Sequence, residues 1–249
     1  MEENNPYARM DRASAGERAK IYAEIYDAAE TAAPCGPLRP PSARRRQRLA
    51  LYAQIVGPGH DAILEIGCAT GDLTCMLAGL TRRIVGIDMS GASLAAAAQR
   101  ARALPADLAP RVQLVKMNAV SLEFIEGTFD YAVSTSMIEH LHPDDVDPHL
   151  RQVWRVLRPG GSYLVWCPNR LGHHKPRPDH LSMMSHCDLT ERMRQAGFAD
   201  FRSPMFTRPP MVGTGFKIRL EQTLSRMHIG VLWSHLGVRN VLVVGRKPT

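Results

Sequence analysis

The stretch ILEIGCATGDL, residues 63–73, decides the fold of this 249-residue chain. An apolar run leads into a turn with glycines at positions 67 and 71, and a helical pattern follows. Glycine at such a turn permits a positive φ and lets a ligand approach backbone N–H groups at a helix N-terminus. Tight packing of a strand against a helix would also favour glycine, so the turn alone leaves a nucleotide site and a purely structural role open.

From residue 60 onward, short apolar runs alternate with helical patterns, which is typical of βαβ units in a parallel sheet. We predict strands at residues 62–66, 83–88, 112–117, 129–134, 162–167, 199–206 and 240–245. Helices are predicted at residues 15–32, 42–55, 71–80, 93–103, 143–157, 188–196 and 217–235, with a weaker helical pattern at 118–127.

The chain divides into a helical segment and a larger α/β segment. A proline-rich connector, PCGPLRPP at residues 34–41, cannot continue a helix and separates the first two predicted helices. We therefore expect an N-terminal helical cap at residues 1–58 and a cofactor-binding domain at residues 59–249. Two inserts in that domain, at residues 168–187 and 205–236, are expected to bind substrate.

The composition is that of an ordinary globular protein, with 45% apolar and 22% charged residues. These fractions exclude a disordered chain, a collagen-like fibre and a disulfide scaffold. The five cysteines form no C-x-x-C pair, which indicates reduced thiols. No run approaches the ~18 apolar residues of a membrane-spanning helix, and the polar N-terminus does not resemble a signal peptide. We therefore expect a cytoplasmic protein with no membrane partner.

Two carboxylates flank the glycine turn. Glu65 ends the strand before the turn, where a negative charge suits a cationic or amine-bearing ligand better than a pyrophosphate. Asp88 ends the next predicted strand, where a carboxylate can accept hydrogen bonds from both hydroxyls of a ribose. A dinucleotide dehydrogenase is disfavoured because the segment from Gly67 to Gly71 does not fit G-x-G-x-x-G.

At these residues the chain resembles the class I, Rossmann-like S-adenosylmethionine-dependent methyltransferases. Their glycine motif has the form E/D-x-G-x-G-x-G, which Glu65, Gly67 and Gly71 match, while Ala69 replaces the middle glycine. Later segments resemble the family in the expected order, at residues 128–134, 139–141, 156–161, 196–198 and 240–248.

The resemblance implies an α/β fold with a seven-stranded, mostly parallel sheet, an antiparallel last strand, helices on both faces and an N-terminal helical cap. It also implies S-adenosylmethionine as the cofactor and S-adenosylhomocysteine as the product. The backbone from Gly67 through Cys68 to Ala69 would lie against the methionine part, with Glu65 near its amino group. The extra methyl group of Ala69 narrows the turn and would be tolerated if φ there is negative.

By the same resemblance, Asp88 would hold the ribose and Met89 would pack on the adenine. Asn118 stands where the family usually has an acidic residue, and it can still accept a hydrogen bond from the adenine amino group. Ala119 and Ser134 complete the expected cofactor site.

The acceptor side is expected just beyond the fourth strand, where Glu139 and His140 occur. Histidine titrates near neutral pH, so His140 is our candidate general base, ahead of His142, which we expect to face solvent. The alternative is that Glu139 and His140 only brace the following helix.

An irregular segment after the fifth strand carries four more histidines. It is either a polar surface loop or a lid over the acceptor. Within it we favour His180, together with Asp179, for contact with substrate. The four histidines are His173, His174, His180 and His186.

Some quinone-biosynthesis O-methyltransferases and small-RNA 2′-O-methyltransferases are similar in carrying E-x-x-E-H after strand four, with a later histidine, as ligands of a divalent metal. Glu139, His140 and His180 match that pattern, but Ser136 replaces the first glutamate. The loss of a hard oxygen ligand predicts that no metal ion is bound.

Two further features have competing interpretations. The arginines at positions 44, 45, 46 and 48 either contact an anionic acceptor or form the solvated face of a helix. Tyr22 and Tyr26 are either packing residues or part of a roof over the cofactor.

We therefore expect an enzyme that methylates an O, N or C atom of a small-molecule acceptor, anionic or neutral, in specialised metabolism. The alternatives are an RNA 2′-O-methyltransferase and a non-catalytic interaction module. The net charge of +7 is spread along the chain, so no nucleic-acid partner is expected. The protein is expected to be a monomer or a homodimer.

Overall fold

The computed structural model describes residues 6–32, 40–170, 177–203 and 240–249. Within these ranges seven strands form one sheet in the order β3-β2-β1-β4-β5-β7-β6. The first five strands pair in parallel, and β7 runs antiparallel to both β5 and β6. The strands are β1 His60–Ile66, β2 Thr81–Asp88, β3 Val112–Lys116, β4 Phe129–Thr135, β5 Leu157–Pro168, β6 Ala199–Arg202 and β7 Asn240–Arg246. The predicted fold class is confirmed.

Helices pack on both faces of the sheet. One face carries a cluster that includes Leu49 and Leu77, and the other carries a cluster that includes Leu150 and Leu189. The described helices are α1 Pro6–Met10, α2 Ala15–Ala32, α3 Ala43–Val56, α4 Asp72–Leu77, α5 Gly91–Arg102, α6 Pro143–Val156 and α7 His186–Gln195. None of these helices is long and apolar enough to cross a membrane.

Local capping explains where several helices begin. The hydroxyls of Ser42 and Ser90 accept hydrogen bonds from the backbone at the starts of α3 and α5. Ser185 and Asp188 form a reciprocal capping box at the start of α7. These short-range signals lie in the sequence itself, so the predicted helix starts differ from the observed ones by no more than two residues.

The connection between β3 and β4 departs from the sequence prediction. The weak helical pattern at residues 118–127 gives turns and bends instead of a helix. Asn118 closes a local turn, because its side-chain oxygen accepts a hydrogen bond from Val120 N at 2.9 Å. The guanidinium of Arg155 on α6 donates to the carbonyls of Leu122 and Phe124 at 2.6 and 2.7 Å. Tertiary hydrogen bonds therefore replace those of a helix.

Other differences are small or cannot be compared. The sixth strand ends at Arg202, and residues 204–206 of the prediction lie outside the described residues. The predicted helix at 217–235 and the whole insert at 205–236 also lie outside them.

The N-terminal helix α2 is fastened to the start of α6. Arg18 makes a two-pronged ion pair with Asp145, with Nε and Nη2 at 2.9 and 2.7 Å from the carboxylate oxygens, and both residues are buried. The hydroxyl of Tyr22 donates to the same carboxylate at 3.1 Å and accepts from His142 N. This anchor holds α2 against the elements that follow β4.

Candidate active site

The predicted site residues gather at the carboxyl ends of β1 to β4. Parallel α/β sheets bind ligands at this edge because the strand-to-helix turns meet there. The turns after β1 and β2, together with the connection after β3, form what we call the cofactor half, residues 65–71, 88–90 and 117–120. The turn after β4 and the segment packed on it form the acceptor half, residues 136–142 and 177–182.

The turn after β1 uses its own amide groups. The N–H groups of Gly67 and Cys68 both donate to the carbonyl of Ile87, at 2.9 and 3.0 Å, and Ala69 N donates to Asp88 Oδ2 at 2.8 Å. These donors are therefore not directed at an anion.

Both glycines of the turn are required by its geometry. Gly67 and Gly71 each have φ +74°, and a Cβ at Gly67 would lie 2.6 Å from Met137 Cγ. A Cβ at Gly71 would lie 2.8 Å from Ala97 Cβ on α5. Close packing thus supplies one reason for the glycines, beside any ligand.

Ala69 does not meet the condition under which its methyl group was expected to be tolerated. Its φ is +46°, in the left-handed region, whereas the sequence argument required a negative value. The hydrogen bond from Ala69 N to Asp88 fixes the backbone in this conformation. A non-glycine residue in this region has a small energetic cost, which is characteristic of functional turns.

Glu65 lies beneath the turn and is buried. Its carboxyl group accepts a hydrogen bond from the hydroxyl of Thr74 on α4. Burial raises the pKa of Glu65 to about 8, above the usual value of 4.5. The carboxyl therefore holds a proton at neutral pH, and a cationic group nearby would favour its ionised form.

Asp88 lies at the end of β2, only partly buried, beside the glycine turn. Its two oxygens accept hydrogen bonds from Ala69 N and from Ser90 N, at 2.8 and 2.9 Å. A carboxylate can accept several hydrogen bonds, including those from ribose hydroxyls. Met89 follows directly and packs against the apolar core from a half-buried position.

Asn118 and Ala119 form the turn after β3. The Oδ1 of Asn118 already accepts from Val120 N, so only its second lone pair is left for an adenine amino group. The carbonyl of Ala119 points towards α6, 2.8 Å from His149 Nδ1.

Ser134 does not present its side chain to a ligand. It is buried, and its hydroxyl lies 2.7 Å from the Tyr163 hydroxyl on β5. Any contact of Ser134 with the cofactor would have to come from its backbone. The Tyr163 hydroxyl in turn lies 2.9 Å from His149 Nε2. The sequence analysis missed this buried group of polar side chains, since His149 sits among apolar residues on one face of α6.

In the acceptor half, Glu139 is buried in a short 3₁₀ turn, Ile138–His140. Among the described residues its Oε2 has no hydrogen-bond partner. Burial raises the pKa of the Glu139 carboxyl to about 7, from 4.5. A buried polar atom without a partner is costly, so this oxygen is positioned for an external group.

His140 is half-buried next to Glu139. Its Nδ1 lies 2.8 Å from the carbonyl oxygen of Asp179. A carbonyl can only accept, so Nδ1 carries the hydrogen and Nε2 carries the lone pair. Burial lowers the pKa of His140, which favours the neutral imidazole. This is the protonation state of a general base.

His180 completes the acceptor half. Its ring stands edge to face with that of His140, with the ring centroids 5.1 Å apart. Ser182 fastens this segment, because its N and Oγ donate to the carbonyls of Glu139 and Leu141 at 2.9 and 2.7 Å. The segment around His180 is therefore packed against the turn after β4.

Potential ligand atoms of Glu139, His140 and His180 all lie within 4.8 Å of one another. Two imidazoles and one carboxylate are donors that suit zinc or iron better than magnesium. Ser136, in the place of the first glutamate of the metal-binding pattern, has φ +54°. The prediction that no metal is bound rests on this replacement and is tested below by chelation.

Other sequence-predicted residues lie elsewhere. The expectation that His142 faces solvent is wrong, since its ring is buried and caps α6 by accepting from Asp144 N. His186 is buried at the start of α7 and hydrogen-bonds Ser203. His173 and His174 lie outside the described residues.

The four arginines of the run are exposed on α3, and two of them contact other elements of the fold. Arg45 pairs with Asp72 at 2.8 Å, and the Arg48 guanidinium lies 4.9 Å from the Trp166 ring centre. Tyr26 lies on helix α2, is half-buried and packs against the hydrophobic core. Burial and nearby Asp88 raise the pKa of Tyr26 to about 12.

Comparison with known proteins agrees with this geometry. Residues 63–161 match a family described as "Methyltransferase domain". A protein of Mycolicibacterium smegmatis named "Probable S-adenosylmethionine-dependent methyltransferase" is 35% identical over 145 residues, which are 56% of this chain and 52% of that protein. The 2-phytyl-1,4-naphtoquinone methyltransferase of Synechococcus elongatus is 32% identical over 133 residues, with 52% and 53% covered.

Among solved structures, the [4+2]-cyclase SpnF superposes with a TM-score of 0.59 and 24% identity, over 84% of this chain and 82% of that one. This likeness concerns the fold alone. The chain spans about half the length of the curated relatives it matches. The strand order and the matched residues agree, and residues 63–161 of this chain therefore belong to a methyltransferase domain with a Rossmann-like fold.

Proposed function

We propose that this protein transfers a methyl group from S-adenosylmethionine to a small-molecule acceptor, in specialised metabolism. The acceptor atom is an O, N or C atom, and a hydroxyl oxygen suits the site best. The observation that carries this proposal is the Nε2 lone pair of His140, fixed by the bond from Nδ1 to Asp179. It lies at the same edge of the sheet as the methyltransferase glycine turn.

The cofactor half fits S-adenosylmethionine in its donors and acceptors. The turn from Gly67 to Ala69 has its amides engaged, which suits an ammonium group better than a phosphate. Asp88 supplies a carboxylate, a group that accepts hydrogen bonds from ribose hydroxyls. When bound, the cofactor supplies an electrophilic methyl group on a sulfonium.

His140 supplies what a hydroxyl acceptor needs. The bound cofactor would supply the methyl group, and His140 Nε2 would accept the proton that the acceptor hydroxyl loses. General base catalysis of this kind contributes about 10²–10⁴-fold. Glu139 and His180 line the same space and would bind and orient the acceptor. An amine or carbon acceptor that is already nucleophilic would need no base.

The inserts would close the acceptor pocket together with α2. Within the described residues, the segment at 177–182 is held on the turn after β4, and Tyr26 lies on the roof helix. Arg177, the cation of that segment, is paired with Asp179 at 2.8 Å. An anionic acceptor would therefore have to compete with this carboxylate.

The deciding experiment measures S-adenosylhomocysteine release with a panel of phenols, quinols and amines, followed by mass spectrometry of the product. Acceptor-dependent release supports the proposal. SpnF is named a cyclase, so its fold serves a different reaction. Cofactor binding without release for any acceptor would therefore favour the non-catalytic alternative. Transfer of isotopic methyl to RNA would favour the 2′-O-methyltransferase alternative.

A further inference from the structure

A chain of buried polar groups runs from the carboxyl end of β4 to the turn after β3. We call it the Ser134–His149 relay, and it consists of Ser134, Tyr163 and His149. Its contacts are Ser134 Oγ to Tyr163 OH at 2.7 Å, Tyr163 OH to His149 Nε2 at 2.9 Å, and His149 Nδ1 to Ala119 O at 2.8 Å. The side chains come from β4, β5 and α6, and all three are buried.

The direction of every hydrogen bond in the relay follows from its last member. The carbonyl of Ala119 can only accept, so His149 Nδ1 must donate and Nε2 must accept. Tyr163 therefore donates to His149 and accepts from Ser134. Each group is satisfied in one arrangement only, which gives a buried network high rigidity.

The relay ends on a segment that has no helix or strand, and it holds one carbonyl of that segment in place. Residues 117–128 contain no helix, and α6 holds them through His149 at one carbonyl and Arg155 at two more. The contact of Arg155 lies further along the segment. The contact of His149 falls on Ala119, beside Asn118, where the proposed cofactor site meets the adenine.

We propose that His149 is a positioning residue for the adenine end of the cofactor, acting through the carbonyl of Ala119, with Tyr163 and Ser134 fixing its tautomer. The inference rests on the proposed function, since it assumes that the turn after β3 contacts the adenine. A turn held from the protein interior keeps the Asn118 oxygen in place before the ligand arrives. Preorganisation of this kind raises affinity by avoiding the cost of ordering the loop on binding.

The test compares binding of S-adenosylhomocysteine and S-inosylhomocysteine by calorimetry. The second ligand carries oxygen in place of the adenine amino group. The dissociation constant of S-inosylhomocysteine divided by that of S-adenosylhomocysteine therefore reports adenine recognition. His149→Ala should weaken S-adenosylhomocysteine binding by about tenfold, the effect of about 1.4 kcal/mol, and should reduce the ratio. His149→Asn, whose amide nitrogen can replace Nδ1, should recover part of both.

Tyr163→Phe removes one hydroxyl and should give a smaller loss of the same kind, which keeps the test valid if His149→Ala fails to fold. Arg151→Ala, on the exposed face of α6, is the matched control and should change neither constant. Unchanged ratios in His149→Asn and Tyr163→Phe would overturn the inference, even with lowered thermal stability, because the relay would then be only structural.

Asp88→Ala separates this inference from the proposed function. Loss of binding in Asp88→Ala with normal ratios in the relay variants would refute the role of His149 and leave the cofactor site intact. A wild-type protein that binds neither ligand would refute the proposed function and the inference together.

Discussion

The two halves of the candidate site are built by different means. In the cofactor half, the backbone amides of Gly67, Cys68 and Ala69 donate hydrogen bonds to Ile87 and Asp88 within the fold. In the acceptor half the chemistry resides in side chains, and the buried Glu139 Oε2 has no partner among the described residues. Backbone hydrogen bonds specify shape, whereas titratable side chains specify reactivity. Substitutions in the two halves should therefore alter different measurements.

The largest effect is expected in the acceptor half. His140→Ala should lower kcat by about 10²-fold or more with a hydroxyl acceptor, because the proton then has no base. Cofactor affinity, measured by calorimetry, should change little. His60→Ala, at the opposite edge of the sheet, is the control. Weakened cofactor binding without a specific loss of rate would show that His140 only braces the following helix.

The corresponding test of the cofactor half is Asp88→Ala. It should weaken S-adenosylmethionine binding by about 1.5–3 kcal/mol, the range for a lost hydrogen bond to a charged group, while the protein stays folded. Calorimetry measures this change, with the exposed Asp61→Ala as the control. Unchanged affinity would mean that the ribose is held by another residue.

Ionisation of Glu139 in the acceptor half should make the stability of the protein depend on pH. Its pKa is about 7 in the folded protein against 4.5 for an ordinary carboxyl, because the side chain is buried. Between these values the folded protein holds a proton that the unfolded chain releases, so stability falls as pH rises. Glu139→Gln cannot ionise, and it should remove a pH-dependent loss on the order of 2 kcal/mol.

Urea unfolding at pH 5 and pH 8 measures this difference. Glu65 also has a raised pKa, about 8, but it is present in both proteins and cancels in the comparison. Parallel pH profiles for the wild type and Glu139→Gln would show that Glu139 is more hydrated than its position indicates.

A smaller effect is expected for Ala69→Gly in the cofactor half. Glycine removes the energetic cost of the left-handed conformation, about 1 kcal/mol. It also raises the conformational entropy of the unfolded chain, which lowers stability by a similar amount. We expect an unfolding free energy within about 1 kcal/mol of the wild type and unchanged cofactor affinity. Ala95→Gly, on the exposed side of α5, is the control. It should lower the unfolding free energy by about 1 kcal/mol, because no left-handed conformation is present there to offset the loss. A larger loss at Ala69 would mean that its methyl group is needed in the turn.

The smallest effect is expected from chelation. Activity should persist after EDTA treatment, because Ser136 leaves Glu139 as the single carboxylate and magnesium prefers oxygen ligands. Ser136→Glu should create metal sensitivity. Loss of wild-type turnover in chelator, restored by Mg²⁺ or Zn²⁺ and abolished by His180→Ala, would reverse this prediction. The acceptor half would then be a metal site and His140 a ligand.

Local periodicity predicted the strands along the chain and most of the helices, and the family resemblance implied a mostly parallel sheet with an antiparallel last strand. It failed where a distant residue decides a local conformation. Residues 118–127 have a helical pattern, but Arg155 and His149 hold their carbonyls from α6. His142 was expected at the surface, but α2 covers it through the Tyr22 hydroxyl.

The sequence by itself determined the glycine turn and the placing of Glu65, Asp88, Glu139 and His140 at one edge of the sheet. Parallel strands end together, so motifs that follow them meet whatever the intervening chain does. Only the tertiary structure decided the positive φ at Ala69, the packing of His180 on His140 and the hydrogen bond from His149 to Ala119. Each of these features depends on residues that lie far apart along the chain. Helix or strand periodicity does not predict such contacts, because they depend on how whole elements pack.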